Sequence, residues 1–317
     1  MPHVLVTGAA GFIGSHLCDA LLDAGHAVVG LDSFSPHYDR ALKQLNLEAA
    51  RGRDGFSFLE ADLTDPVLRD AVAEADVVFH LAARPGVRDS WDDFGDYVHA
   101  NIAGTKAVLD ACAGRDVRLV YASSSSVYGN AERLPVDEGQ PLRPISPYGA
   151  SKVMTETLAH AYAASHGLPV VGLRYFTVYG PRQRPDMGIS RFIEWAESGR
   201  ELAVYGDGQQ LRDFTYVADA VAATQLAAER GRPGAAYNIA SGRPLELLEV
   251  LGALGEILGD RLVLRHEEAK RGDVRDTHAS IRLAARELGY APATGLAEGL
   301  AAQVAEAERR RRALTAA

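Results

Sequence analysis

Lysine and cysteine are both scarce in this chain. Four lysines, Lys43, Lys106, Lys152 and Lys270, stand among 317 residues, and the formal net charge is −9. That balance excludes a protein that holds nucleic acid or an anionic membrane through bulk charge, so any anionic ligand has to be met by locally placed cations. The two cysteines, Cys18 and Cys112, fall in apolar helical patterns. They read as small buried hydrophobes of a reducing compartment, with no metal-ligand cluster around them. No uninterrupted apolar stretch reaches the ~18 residues of a membrane span. The first residues pass straight into a strand-like run without a basic segment, so a cytoplasmic enzyme without a signal peptide is expected. Repeats and low-complexity linkers are absent as well.

What the chain does have is glycine in a telling place. Val4-Leu-Val6 leads into Thr7, Gly8, Gly11 and Gly14, and an amphipathic helical pattern follows through Leu22. Glycines at this spacing, between a strand and a helix, allow a tight turn and close backbone approach to a pyrophosphate, which the helix N-terminus attracts. The next apolar run, Ala27 to Leu31, ends in Asp32, placed to bind the adenosine ribose hydroxyls and to repel a ribose phosphate. NAD is therefore favoured over NADP. A third run, Phe56 to Leu59, precedes the acidic Asp62, and a fourth, Asp76 to Ala83, ends in small residues. Strands and helices alternating at this rhythm predict an α/β fold with a doubly wound parallel sheet of Rossmann type.

The stretch from Leu119 to Lys152 carries the chemistry. Leu119-Val-Tyr-Ala-Ser-Ser-Ser-Ser-Val-Tyr-Gly129 reads as a buried strand whose end opens in hydroxyl residues, and Tyr148 and Lys152 lie four apart. That spacing puts both head groups on one helix face. A phenol titrates near ~10, and a nearby ammonium together with a cationic nicotinamide lowers it into the range of a useful base. A hydroxyl at the strand end can bond both phenolate and substrate alcohol. The arrangement suits oxidation of an alcohol.

Thr7-Gly-x-x-Gly-x-x-Gly14, His80-Leu-Ala-Ala83, Asn101, the serine-rich strand end, Tyr148-x-x-x-Lys152 and Arg174-Tyr-Phe176 stand in one order along nearly the whole chain. In this the sequence resembles the extended short-chain dehydrogenase/reductase family, and within it the nucleotide-sugar epimerases and dehydratases. The resemblance implies Tyr148 as catalytic base, Lys152 as its electrostatic partner and ribose ligand, and Ser124 as the third catalytic hydroxyl. It implies cofactor contacts from Gly8, Gly11, Phe12, Ile13, Gly14, Asp32, Asp62, Leu63, Leu81, Ala82, Ala83, Asn101, Tyr148, Lys152 and Tyr175. It further implies an NAD-binding part at 1–175 with later strands interleaved, and a smaller nucleotide-sugar lobe mainly at 176–317. Family members commonly dimerise through two helices, here those after Asp89 and at Tyr148.

Two regions bear on the reaction. Dehydratases of the family carry acidic residues before Val-Tyr-Gly, whereas Ser124, Ser125 and Ser126 precede Val127-Tyr-Gly129 here. Elimination of water lacks its acid and base, and epimerisation at carbon 4 is expected. Thr177-Val-Tyr-Gly-Pro181 followed by Arg184-Pro-Asp-Met187 is similar to UDP-glucuronate 4-epimerases, and departs from UDP-glucose 4-epimerases, which usually have Asn at the place of Thr177. Arg184 then offers a charge-assisted partner for a uronate carboxylate, with Ser125, Ser126 and Thr177 as hydroxyl donors. Arg212 and Arg271 match family segments that meet the nucleotide diphosphate; Arg88, Arg191 and Asp273 complete the expected substrate set. No metal is expected. The rivals are a UDP-glucose or UDP-N-acetylglucosamine 4-epimerase, a UDP-glucuronate decarboxylase, and a non-catalytic NAD-binding sensor. The arginines at 309–312 read as a solvated helix end.

Overall fold

A computed structural model describes residues 2–267 and 276–316. Its strands, in chain order, are β1 His3–Thr7, β2 Ala27–Asp32, β3 Phe56–Glu60, β4 Val77–His80, β5 Arg118–Ser124, β6 Val170–Tyr175, β7 Thr177–Tyr179, β8 Leu202–Tyr205, β9 Leu211–Arg212, β10 Phe214–Tyr216, β11 Ala236–Ile239, β12 Leu245–Glu246 and β13 Leu264–Glu267. The helices are α1 Phe12–Asp23, α2 Arg40–Arg51, α3 Val67–Ala73, α4 Phe94–Tyr97, α5 Gly104–Cys112, α6 Pro147–His166, α7 Gly188–Glu197, α8 Val217–Arg230, α9 Leu247–Leu258, α10 Arg282–Leu288 and α11 Leu296–Ala316.

Seven strands form one sheet in the order β11-β6-β5-β4-β1-β2-β3, and every pair in it is parallel. A parallel sheet buries both faces, so its central strands are largely apolar. Val4 and Val6 of β1 pack with Leu17 of α1 and Val221 of α8. Leu5, between them, points to the other side with Leu68 of α3 and Val108 of α5. The strand order reverses between β1 and β4, and ligands of such sheets bind in the crevice beyond the strand ends at that point.

Three two-stranded sheets, β10-β7, β12-β9 and β13-β8, lie outside the large one. Their core joins Ile189 and Ile193 of α7, Leu202 and Val204 of β8, Leu251 and Leu254 of α9, and Leu300 and Val304 of α11. Cys18 and Cys112 are buried and unpaired, as expected. Among the described residues, no helix is long and apolar enough to cross a membrane.

Two expectations change. The fourth strand ends at His80 instead of Ala83, because its neighbour β1 stops at Thr7 and the chain there turns away into the glycine loop. The arginine-rich end is not wholly solvated. Arg310, 11% exposed, pairs with Glu306 one turn earlier and donates to Asn46 Oδ1. Asn46 Nδ2 in turn donates to the carbonyl of Ala10 at 2.8 Å, so helical spacing carries this arginine inward onto the glycine loop.

Candidate active site

A cavity of about 770 Å³ opens over the strand ends, walled by the glycine loop, Asp32, Leu81–Ala83, Ser123–Ser126, Tyr148, Lys152 and Tyr175–Val178. A Cβ placed on Gly14 would lie 2.1 Å from the Gly8 carbonyl oxygen, and one on Gly8 would lie 2.7 Å from the Ala82 amide nitrogen. Only glycine permits this close approach of three backbone segments. The N-terminus of α1 has no side-chain cap, so its amides are free to meet an anion. Asp32 ends β2 with Oδ1 accepting from Phe34 N at 2.8 Å and Oδ2 from Ala10 N at 3.1 Å. Burial raises its carboxyl, opposed by the charge of Lys43 and by these two amides. A pyrophosphate cradle beside a ribose acid fits a dinucleotide.

Behind the wall, His80 bridges Thr7 Oγ1 at 2.8 Å and Thr105 Oγ1 at 3.1 Å. Burial, with the charge of Lys152, pushes it down to about 3. A neutral imidazole therefore ties β1, β4 and α5 together beneath Leu81–Ala83.

Helix α6 starts with Ser146, whose Oγ accepts from Gly149 N at 3.1 Å, and with Pro147 in its first turn. Both are strong start signals. A Cβ on Gly149 would lie 2.6 Å from the Ser126 carbonyl oxygen, so glycine lets the helix press against the serine turn and brings Tyr148 to Ser124. Burial pushes the Tyr148 phenol above its ordinary value, and a hydrogen bond with Ser124 and the charge of Arg184 act the other way. Lys152 Nζ donates to the Ala122 carbonyl at 2.9 Å. Arg184 thus stands as a second cation beside Lys152 on this wall. Burial lowers Lys152 to about 8, opposed by Glu156.

A second cavity of about 1090 Å³ adjoins the first across Gly86, Val87, Thr177 and Met187 and is lined by Arg88, Asp186, Arg191 and Arg212. Arg184, on the wall of the first cavity, donates from Nε to Asp186 Oδ1 and from Nη2 to Asp186 Oδ2, both at 3.0 Å. Burial raises the Asp186 carboxyl, but His37 and Arg184 outweigh it and hold it well below the usual range.

A dinucleotide cradle, a tyrosine–lysine pair and a second cavity carrying Arg88, Arg191 and Arg212 now stand together, and the model of the NAD dependent epimerase/dehydratase family matches residues 4–240. The chain belongs to this family. Among solved structures, the UDP-glucuronic acid 4-epimerase from Bacillus cereus in complex with UDP-glucuronic acid and NAD has a TM-score of 0.94 at 39% identity, over 97% of this chain and 99% of that one. MoeE5, solved with UDP-glucuronic acid and NAD and again with UDP-glucose and NAD, is 44% identical with a TM-score of 0.86, over 98% of this chain and 99% of its own. The uncharacterized UDP-glucose epimerase YtcB of Bacillus subtilis is 42% identical over 95% of this chain and 96% of its own. NAD is the cofactor of this epimerase/dehydratase family member.

Within this family member, the first cavity collects most of the expected residues: Gly8, Gly11, Phe12, Ile13, Gly14, Asp32, Asp62, Leu63, Leu81, Ala82, Ala83, Ser124, Ser125, Ser126, Tyr148, Lys152, Tyr175, Thr177 and Arg184. Of the expected cofactor residues, Asn101 is the exception. It lies in a π-helical turn, Val98–Ala103, between α4 and α5. Its Oδ1 accepts from Arg84 N at 2.7 Å, and its Nδ2 donates to the Arg84 carbonyl and Ser151 Oγ. It holds the wall from behind and is absent from the lining. Arg271 and Asp273 lie outside the described residues. Sequence reasoning missed His37, Tyr38, Lys43 and Arg84, which line the first cavity. Arg84 directly follows the small residues after β4, and the other three follow Asp32 in a polar, aromatic stretch.

Proposed function

We propose that this chain converts UDP-glucuronate to UDP-galacturonate by NAD-dependent 4-epimerisation through a transient 4-keto sugar. The observation that carries the reading is the meeting, on one cavity wall, of Ser124, Tyr148 and Lys152 with Ser125, Ser126, Thr177 and Arg184. A proton-removal group and a partner for a sugar carboxylate then face the same space, with hydroxyls where a dehydratase needs acids.

NAD, which the glycine loop and Asp32 would hold, would supply a hydride acceptor for carbon 4 and the hydride donor for the return to the sugar's opposite face. Tyr148 as phenolate takes the 4-hydroxyl proton and later restores it, with Ser124 holding both oxygens in line. Lys152 as ammonium binds the nicotinamide ribose and favours the phenolate. Arg184, Ser125, Ser126 and Thr177 hold the carboxylate, while Arg88, Arg191 and Arg212 meet the nucleotide diphosphate across the second cavity. Rotation of the keto sugar about that diphosphate presents its other face. Residues 1–175 with β11 carry the cofactor, and 176–317 mainly carry the nucleotide sugar. We further propose a cytoplasmic homodimer joined through the helices after Asp89 and at Tyr148. Trp91 at 63%, Phe94, Val98 and Met154 are exposed apolar side chains there.

Two findings favour a second reading, epimerisation of neutral UDP-sugars: MoeE5 was solved with UDP-glucose, and YtcB is described as a UDP-glucose epimerase. Incubation of the purified protein with UDP-glucuronate, without added cofactor, followed by NMR of the sugar nucleotides, separates them. A mixture with UDP-galacturonate supports the proposal. A pentose product with carbon dioxide indicates a decarboxylase, and unchanged substrate with and without NAD overturns uronate epimerisation in favour of neutral sugars. Tyr148→Phe should abolish turnover and keep NAD bound.

A further inference from the structure

Arg184 has five N–H donors, and Asp186 engages two of them, Nε–H and one on Nη2, at 3.0 Å each. Of the remaining three, two lie along the Nη1–Nη2 edge, which matches a second carboxylate. The guanidinium lines the first cavity and Asp186 the second, so the pair stands on the ridge between them. The intervening turn is closed by Met187 N donating to the Arg184 carbonyl at 3.2 Å. On the far side, His37 Nε2 stands 3.7 Å from Asp186 Oδ2. His37 belongs to the segment that follows Asp32 and lines the first cavity.

We propose that Asp186 is a positioning residue for uronate selection: it grips one edge of Arg184 so that the Nη1–Nη2 edge is presented to the sugar carboxylate, with His37 of the cofactor-side loop standing close behind the grip. This rests on the uronate reading above. Two consequences follow from the geometry. The pair is formally neutral, so the site recognises the uronate through directed hydrogen bonds more than through bulk charge. The plane of the bound carboxylate is also set by a side chain that never touches the sugar. That plane matters because the 4-keto intermediate is a β-keto acid. When the C5–C6 bond aligns with the carbonyl orbitals it can break, its electron pair passing into the C4 carbonyl as an enolate. Carbon dioxide then leaves and carbon 5 takes up a proton.

The test compares wild type, Asp186→Asn and Asp186→Ala as full-length, NAD-loaded proteins, with NAD per subunit measured for each. UDP and UDP-glucuronate affinities come from calorimetry, and products from NMR. Asp186→Asn keeps one acceptor oxygen, so it should loosen UDP-glucuronate less than Asp186→Ala, which should weaken it by about tenfold or more. Affinity for UDP should stay within about twofold, and the pentose product should rise in both variants. A tighter UDP-glucuronate complex in either variant would make Asp186 a rival occupant of Arg184 and overturn the proposal. Equal losses for UDP and UDP-glucuronate would also overturn it, as the effect would then be general. Failure of the uronate reading shows separately, as absence of UDP-glucuronate turnover in the wild type.

Discussion

Glu156 lies one helical turn beyond Lys152, with its carboxylate buried against Arg174. Their side chains are 10% and 7% exposed. Arg174 donates Nε to Glu156 Oε1 at 2.9 Å and Nη2 to Oε2 at 2.7 Å, and Ser123 Oγ adds a third bond to Oε1 at 2.5 Å. Glu156→Gln leaves the guanidinium with Tyr128 Oη and the Glu138 carbonyl but without the carboxylate it grips. Breaking a buried pair this way costs about 3–5 kcal/mol. At about 2 °C per kcal/mol for a large domain, the Tm should fall by about 6–10 °C. Glu156→Gln combined with Arg174→Met removes both charges and should recover most of the loss. Differential scanning calorimetry on NAD-loaded protein decides. A loss below about 1 kcal/mol, the range of an exposed pair, or a double variant no better than Glu156→Gln alone, would refute the account.

The same carboxylate bears on pH. Lys152 is lowered to about 8 from its ordinary 10.5 by burial, with Glu156 opposing. The ammonium is present below about 8, so turnover should decline as pH rises through that value, and in Glu156→Gln the decline should come at lower pH. Stability of the cofactor-free protein moves the other way. Between about 8 and 10.5 the unfolded chain holds a proton that the folded one does not, so this lysine's contribution improves as pH rises through that window. Paired rate and urea-unfolding profiles check both signs. Gly14→Ala forces its Cβ within 2.1 Å of the Gly8 carbonyl oxygen, so NAD per subunit after purification should fall at least about tenfold while circular dichroism stays native; full NAD occupancy would count against the cradle. Trp91→Asp should turn a dimer into a monomer in sedimentation velocity, whereas a monomeric wild type removes that interface.

The parts of the site legible in the sequence are those whose chemistry is local. A glycine triplet between strand and helix, an acid at the end of β2, and a tyrosine four residues before a lysine each state their geometry in their spacing. Tyr148 and Ser124 meet because Gly149 lets α6 press on the serine turn, a packing role that the sequence alone did not single out. What escaped depends on partners distant in sequence or irregularly spaced. Arg184 and Asp186 stand two apart in a turn outside every strand and helix, where no period says which side chains meet, so their pairing was not visible. Asn101 looks the same in sequence whether it faces the cavity or braces the wall behind it. Lys152 gives one of its three N–H donors to the Ala122 carbonyl on β5, and no pattern of side chains announces a carbonyl.

The link from Arg310 through Asn46 to Ala10 joins side chains 264 residues apart. Its consequence is a coupling: the docking of α11 on α2 and the occupation of the cradle share this strut, so NAD binding should slow amide exchange in α11 as well as in the glycine loop.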